Sequence, residues 1–200
     1  WDKIIWIVAA WDHYKVTGDI SFLKQAFRCA KNTIVELEGK YFNERYGLFT
    51  GPAVFQDGIA AYDEPIYQPG NMDSYVLNHD ADNIMCLSTN CIYFQAFNCF
   101  ADMAWQLNAE EYGKLYQSRA RKLKNSIREH LYNKKKNKLY YLIDQNGKKH
   151  DYTEALGVAF AVLYEVVNEK EAKKIINNVH ITKYGVPCVY PAFPRYNEQR

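Results

Sequence analysis

Three times along this chain, a segment that is apolar on nearly every side is followed by one that is apolar along a single stripe. Asp2 to Lys15 opens the series, with Ile4, Ile5, Ile7, Val8, Ala9, Trp11 and Tyr14 leaving little polar face. After the turn Thr17-Gly18-Asp19 comes its partner, to about Glu38, in which Phe22, Leu23, Ala26, Phe27, Ala30, Ile34 and Leu37 fall at three- and four-residue spacing. Asn83 to Leu107 and Ala109 to Tyr132 repeat the pair, and Tyr152 to Val167 with Glu169 to Asn178 form a third. A helix that is apolar all round is buried, and one that is apolar on one side lies between core and water. Inner helices alternating with outer ones describe a two-layer ring of helical hairpins. The expected fold is therefore all-α, about half of an (α/α)6 toroid, as one partial domain over 1–200. Leu139 to Asp144 with Gln145-Asn146-Gly147 adds a small β-hairpin insertion.

The connections also carry a pattern. Tyr41 to Asp82, Asn133 to Asp151 and Thr182 to Arg200 are long, and all fall on the side where inner helices begin. Long ordered loops of this kind tend to be functional. They gather many acids on one rim: Asp2, Asp57, the Asp63-Glu64 pair, Asp73, Asp80, Asp82, Asp151 and Glu154. Asp82 and Asp151 have a ready structural role as caps of the inner helices that follow them. Asp63 and Glu64 precede Pro65 and also suit a plain turn, while Asp2 suits either helix-start electrostatics or a ligand contact. Asp57 follows no capping pattern. It sits in GLFTGPAVFQDGIAAY beside Gly58, which permits close approach of a ligand, and among Phe55, Ile59, Tyr62 and Tyr67. Aromatic rings stack on sugar faces, and a carboxyl in an apolar wall is held protonated and ready to donate.

Composition narrows the classes. Tyrosine contributes 17 of the 200 residues, which favours a surface offering both ring and hydroxyl. A net charge of +2 gives no pull toward nucleic acid. Lys134-Lys135-Lys136 with Lys138 reads as a solvated loop tip. The five cysteines (Cys29, Cys86, Cys91, Cys99, Cys188) show no zinc-ligand spacing, so no metal and no cofactor is expected. Cys86, Cys91 and Cys99 read as small buried thiols of one apolar helix. His13 reads as a satisfied core histidine, and His79 and His150 lie near the rim. No glycine-rich phosphate loop or Ser/His/Asp order stands out. No uncharged run is long enough to span a membrane. The chain opens at Trp1 inside a helical pattern, which reads as a piece of a longer protein.

WDKIIWIVAAWDHYKVTGDISFL, GLFTGPAVFQDGIAAY, LSTNCIYFQAFNCFADMAWQL, EALGVAFAVL and YGVPCVYPAFPRY together give the sequence a known look. It resembles the six-hairpin (α/α)6-barrel glycoside hydrolases over nearly its whole length, most closely the family 63-like bacterial group of α-glucosidase-type enzymes. The resemblance implies a hydrolase acting on an oligosaccharide or glycan by an inverting two-carboxylate mechanism. Asp57 matches the general acid, and the second carboxylate is expected after Arg200. In such a mechanism the two carboxyls stand roughly 6.5–9.5 Å apart to admit the attacking water. Trp1, Asp2, Phe55, Tyr62, Asp63, Glu64, Glu154 and Tyr190 are the expected substrate contacts, with a carbohydrate as partner and a periplasmic or secreted location. The same toroid also hosts rhamnosidases, lyases and epimerases. A non-catalytic glycan-binding or scaffold module is the alternative outside enzymes.

Overall fold

A computed structural model describes residues 2–54 and 83–192. A 3-10 turn (Asp2–Ile4) leads into α1 (Ile5–Thr17), then α2 (Ile20–Tyr41), α3 (Leu87–Gln106), α4 (Glu110–His130), α5 (Ala155–Leu163) and α6 (Glu169–Asn177). Each boundary has a local cause. Gly18 ends α1 in the left-handed region at φ +67°, and its N–H donates to the Tyr14 carbonyl. The Asp19 carboxylate accepts from Ser21 and Phe22 N–H and so starts α2. Asn168 and Glu171 form a reciprocal capping box at the head of α6.

The helices form three hairpins in two layers. The inner row runs α1, α3, α5, with α3 packed against both neighbours, and α2, α4 and α6 back them. Rings knit the layers together. Phe27 of α2 stacks on Phe100 of α3 at 4.7 Å, and Tyr116 of α4 meets Phe100 edge-on at 4.6 Å. Gly113 of α4 lies against the Trp105 indole, where a Cβ would come within 2.5 Å of the ring.

The inner helices are not alike. In α3 nearly every side chain from Leu87 to Ala104 is buried. In α1 only Ile7 and Ala10 are, and Trp6, Val8, Trp11 and Tyr14 keep part of their surface. Burial on every side is therefore a property of the middle inner helix, not of all three. His13, expected in the core, is exposed on α1 with its ring 4.4 Å from Phe22.

The short strands are β1 (Phe42–Asn43), β2 (Leu48–Phe49), β3 (Met85–Cys86), β4 (Tyr132–Asn133), β5 (Lys138–Leu139), β6 (Leu142–Ile143), β7 (Lys149–His150), β8 (Thr153–Glu154) and β9 (Val189–Tyr190). The hairpin expected after Leu139 is β6–β7, closed by Asp144 and by Gly147 at φ +82°. Two more, β1–β2 and β4–β5, close the ends of α2 and α4 and are versions of one device. Asn43 and Asn133 each accept backbone N–H groups in the turn, and four residues later Gly47 and Asn137 take positive φ. The third inner helix begins at Ala155, later than the periodicity suggests, because Thr153–Glu154 pairs as a strand. Asp151 is thus no cap: it binds Lys136 and Lys138. Asp82 lies outside the described residues, and α3 starts at Leu87.

Candidate functional site

The rim where inner helices begin is assembled around the first turn of α3. Ser88, Thr89 and Asn90 are polar, fully buried, and each reaches a different point on segment 49–54. The Phe49 N–H donates to Asn90 Oδ1 at 2.7 Å, and Asn90 Nδ2 donates to the carbonyls of Phe49 (3.0 Å) and Cys86 (2.9 Å). The Val54 N–H donates to Ser88 Oγ at 3.1 Å, and Thr89 Oγ1 donates to the Pro52 carbonyl. Phe49 also stacks face to face on Tyr93, with centroids 3.7 Å apart. An irregular segment can be buried only when its backbone groups are paired. Here three consecutive helix side chains supply the pairing and fix segment 49–54.

Glu154 lies beneath this point. It ends β8, is the residue before α5, and has no exposed surface. Its Oε2 accepts the Ser88 N–H at 3.1 Å, so it serves the head of α3, which lacks a side-chain cap of its own. One carboxyl thus stands at the start of two inner helices. Both helix dipoles and the Ser88 hydrogen bonds favour its charged form. Burial outweighs them and pushes its pKa up to about 7. Its other oxygen, Oε1, has no hydrogen-bond partner among the described residues. Gly157, one turn on, makes room for the carboxyl: a Cβ there would collide with Oε2 and come within 2.9 Å of Leu87.

Of the residues expected at the site, Trp1, Phe55, Asp57, Tyr62, Asp63 and Glu64 lie outside the described residues. Asp2 opens the 3-10 turn before α1. Glu154 and Tyr190 come together on the β8–β9 ladder but on opposite faces. Glu154 pairs with buried Val189, and Tyr190 pairs with Thr153 on the outer face, 42% exposed. The Tyr190 ring stacks on His180 at 3.9 Å. His150 is bound to Asp144 at 3.0 Å and belongs to its hairpin turn. Ser88, Thr89 and Asn90 were not singled out by sequence reasoning. Three consecutive polar residues opening a largely apolar helix were the signal for them.

Among the described residues no group of three or more His, Cys, Asp or Glu side chains could hold a metal ion. Nor is any described helix long and apolar enough to cross a membrane.

Three helical hairpins with their irregular connections gathered at one rim define part of a six-hairpin helical domain. The chain belongs to the bacterial alpha-L-rhamnosidase six-hairpin glycosidase domain family, whose model matches residues 1–187. Among solved structures, it is similar to a GH78 family rhamnosidase of Bacillus sp. GL1, with a TM-score of 0.68 at 19% identity. That match covers 87% of this chain and 16% of the rhamnosidase chain. A comparison with curated proteins gave no match. The six-hairpin resemblance holds, but the family is the rhamnosidase domain and not the family 63-like group. Helix-pair phrases such as TGD followed by FL recur across glycosidases with this barrel and do not separate the two.

Proposed function

We propose that this domain is the sugar-binding and acid-bearing part of a glycoside hydrolase acting on α-L-rhamnosides by inversion. The observation that carries the reading is the family match over residues 1–187. In this reading Asp57 is the general acid and protonates the glycosidic oxygen as the bond to the anomeric carbon breaks. A second carboxylate takes a proton from the water attacking the opposite face. Trp1, Asp2, Phe55, Tyr62, Asp63, Glu64 and Tyr190 line the sugar. Glu154 acts from below as a positioning residue: it holds Ser88, Ser88 holds Val54, and three residues later the chain reaches Asp57.

The test compares two substrates on the full-length protein and its Asp57→Asn variant. A 4-nitrophenyl α-L-rhamnoside releases a leaving group that departs without a proton, whereas a rhamnosyl disaccharide needs one. Loss of the acid lowers kcat for the disaccharide by about 10²–10⁴-fold and leaves the aryl substrate much less affected. Equal losses on both substrates, or none, remove Asp57 from the acid role. Proton NMR of the first-formed sugar decides the stereochemistry, and an absence of rhamnoside hydrolysis by the wild type overturns the substrate assignment.

A further inference from the structure

The outer wall behind the rim holds a second concavity that the hydrolase reading does not use. It is an open depression of about 620 Å³ between the end of α4 and the two hairpins that follow. Lys134, Lys135 and Lys149 line it against one carboxylate, Glu129, while Arg128 at its edge is paired with Glu171. The basic run is the exposed tip of the β4–β5 hairpin, and the fold divides it. Lys136 and Lys138 turn to Asp151, 3.0 and 2.8 Å away, and share its carboxylate. Lys134 and Lys135 face the concavity and form no ion pair among the described residues.

The walls are built rather than incidental. Arg128 is held by a two-pronged bond to Glu171 (2.7 and 2.8 Å) and donates to the Val166 carbonyl at 3.0 Å. That fixes one end of the cavity to the head of α6. The Tyr140 hydroxyl accepts from Asn133 Nδ2 at 2.9 Å, which sets its ring, and Lys149 Nζ lies 5.5 Å from the ring centre. The buried Tyr132 gives part of the floor. Rings and side-chain amides beside unpaired ammonium groups are complementary to a sugar that carries a negative charge. Tyr140 faces this cavity, whereas the carbonyl of the next residue, Tyr141, accepts the Leu87 N–H at the head of α3.

We infer that this cavity is an ancillary binding site for an anionic glycan residue, its carboxylate or sulfate ester received by Lys134, Lys135 and Lys149. The glycan part rests on the proposed hydrolase function; the anion part does not. Such a site would hold a charged stretch of polysaccharide against the outside of the domain while a neighbouring residue enters the rim.

Calorimetry on the chain with an oligogalacturonate, a sulfated oligosaccharide and a neutral oligosaccharide of equal length tests it. The variants are Lys134→Ala/Lys135→Ala/Lys149→Ala and, as control, Lys122→Ala/Lys170→Ala/Lys174→Ala, each checked for an unchanged Tm. Expected is binding of one or both charged glycans over the neutral one. The site variant should weaken it about tenfold and the control variant should not. Raising salt from about 50 mM to about 500 mM should weaken it too. Preference for the carboxylate or the sulfate identifies the group recognised. Equal loss in the two variants, or no preference for charge, overturns the site. Tighter, lysine-dependent binding of single-stranded DNA overturns the glycan assignment. Lysine-dependent glycan binding, together with no rhamnoside hydrolysis by the full-length protein, would sink the substrate reading above and leave this one standing.

Discussion

Two sets of buried polar side chains meet at the head of α3, and they are treated in opposite ways. Ser88, Thr89 and Asn90 are all paired, each to the backbone of segment 49–54. Glu154, in contact with the same turn, keeps one oxygen without a partner among the described residues and is costly to ionise. The first set costs nothing in unmet hydrogen bonds and does a structural job: it allows a loop to be buried. The second is a polar group in strain, and strained or unsatisfied polar groups cluster where proteins work. The contrast separates what holds the rim from what is held ready within it.

The largest expected effect tests the paired set. Asn90→Ala removes three hydrogen bonds and leaves the Phe49 N–H and carbonyl buried without the side chain that serves them. At about 1–3 kcal/mol per abandoned group, partly relieved by water, the loss should be about 4 kcal/mol in urea unfolding. A loss below about 1 kcal/mol would mean that segment 49–54 is not held by this residue, and the comparison would lose its first half.

The next effect tests the unpaired one through pH. Glu154 has a folded pKa of about 7 against an ordinary 4.5, so the folded state binds the proton more tightly. Its stability contribution is therefore complete below about pH 4.5, declines as pH rises toward 7, and is level above that. A shift of this size corresponds to a decline on the order of 3 kcal/mol. Glu154→Gln, which keeps the shape and cannot ionise, should remove that component of the pH dependence. It should unfold less readily than wild type above pH 7 and no less readily below pH 4.5. Parallel pH profiles for the two proteins would show that the Glu154 carboxyl is solvated, contrary to its burial.

How much of this was legible in the sequence follows from what each feature depends on. The three helix pairs were readable because burial repeats with the helical period, and Gly18 and Asp19 mark a boundary by their own chemistry. The order of burial within the inner row was not readable. Trp6 and Trp11 are as apolar as Phe97 and Phe100, and only the presence of a neighbour on each side distinguishes α3 from α1. Asp151 and Glu154 show the same limit at the site. Both look like acids at a helix start, and three residues of offset, fixed by the pairing of β8 with β9, send one to surface lysines and the other into the core. The hairpins after α2 and α4 were visible only as a repeated phrase. An asparagine followed four residues later by glycine in one case and asparagine in the other is a weak signal until the two are superposed.

The smallest effect joins the two sets. Gly157 lies on α5, where alanine would ordinarily stabilise a helix by about 1 kcal/mol. Here the added methyl group meets Glu154 Oε2 and the Leu87 side chain, so Glu154 must shift and release the Ser88 N–H. Overpacking of this kind costs about 1–3 kcal/mol, which leaves Gly157→Ala a net loss of about 1 kcal/mol. The same substitution in a Glu154→Ala background meets only Leu87, and its cost should fall to zero or change sign. A double-mutant cycle in urea unfolding measures the difference directly. If Gly157→Ala costs the same in both backgrounds, the glycine is not keeping space for the carboxyl. If the coupling is present, the residue before α5 and the glycine one turn on form a single device, with the glycine keeping Glu154 buried against Ser88, which holds segment 49–54.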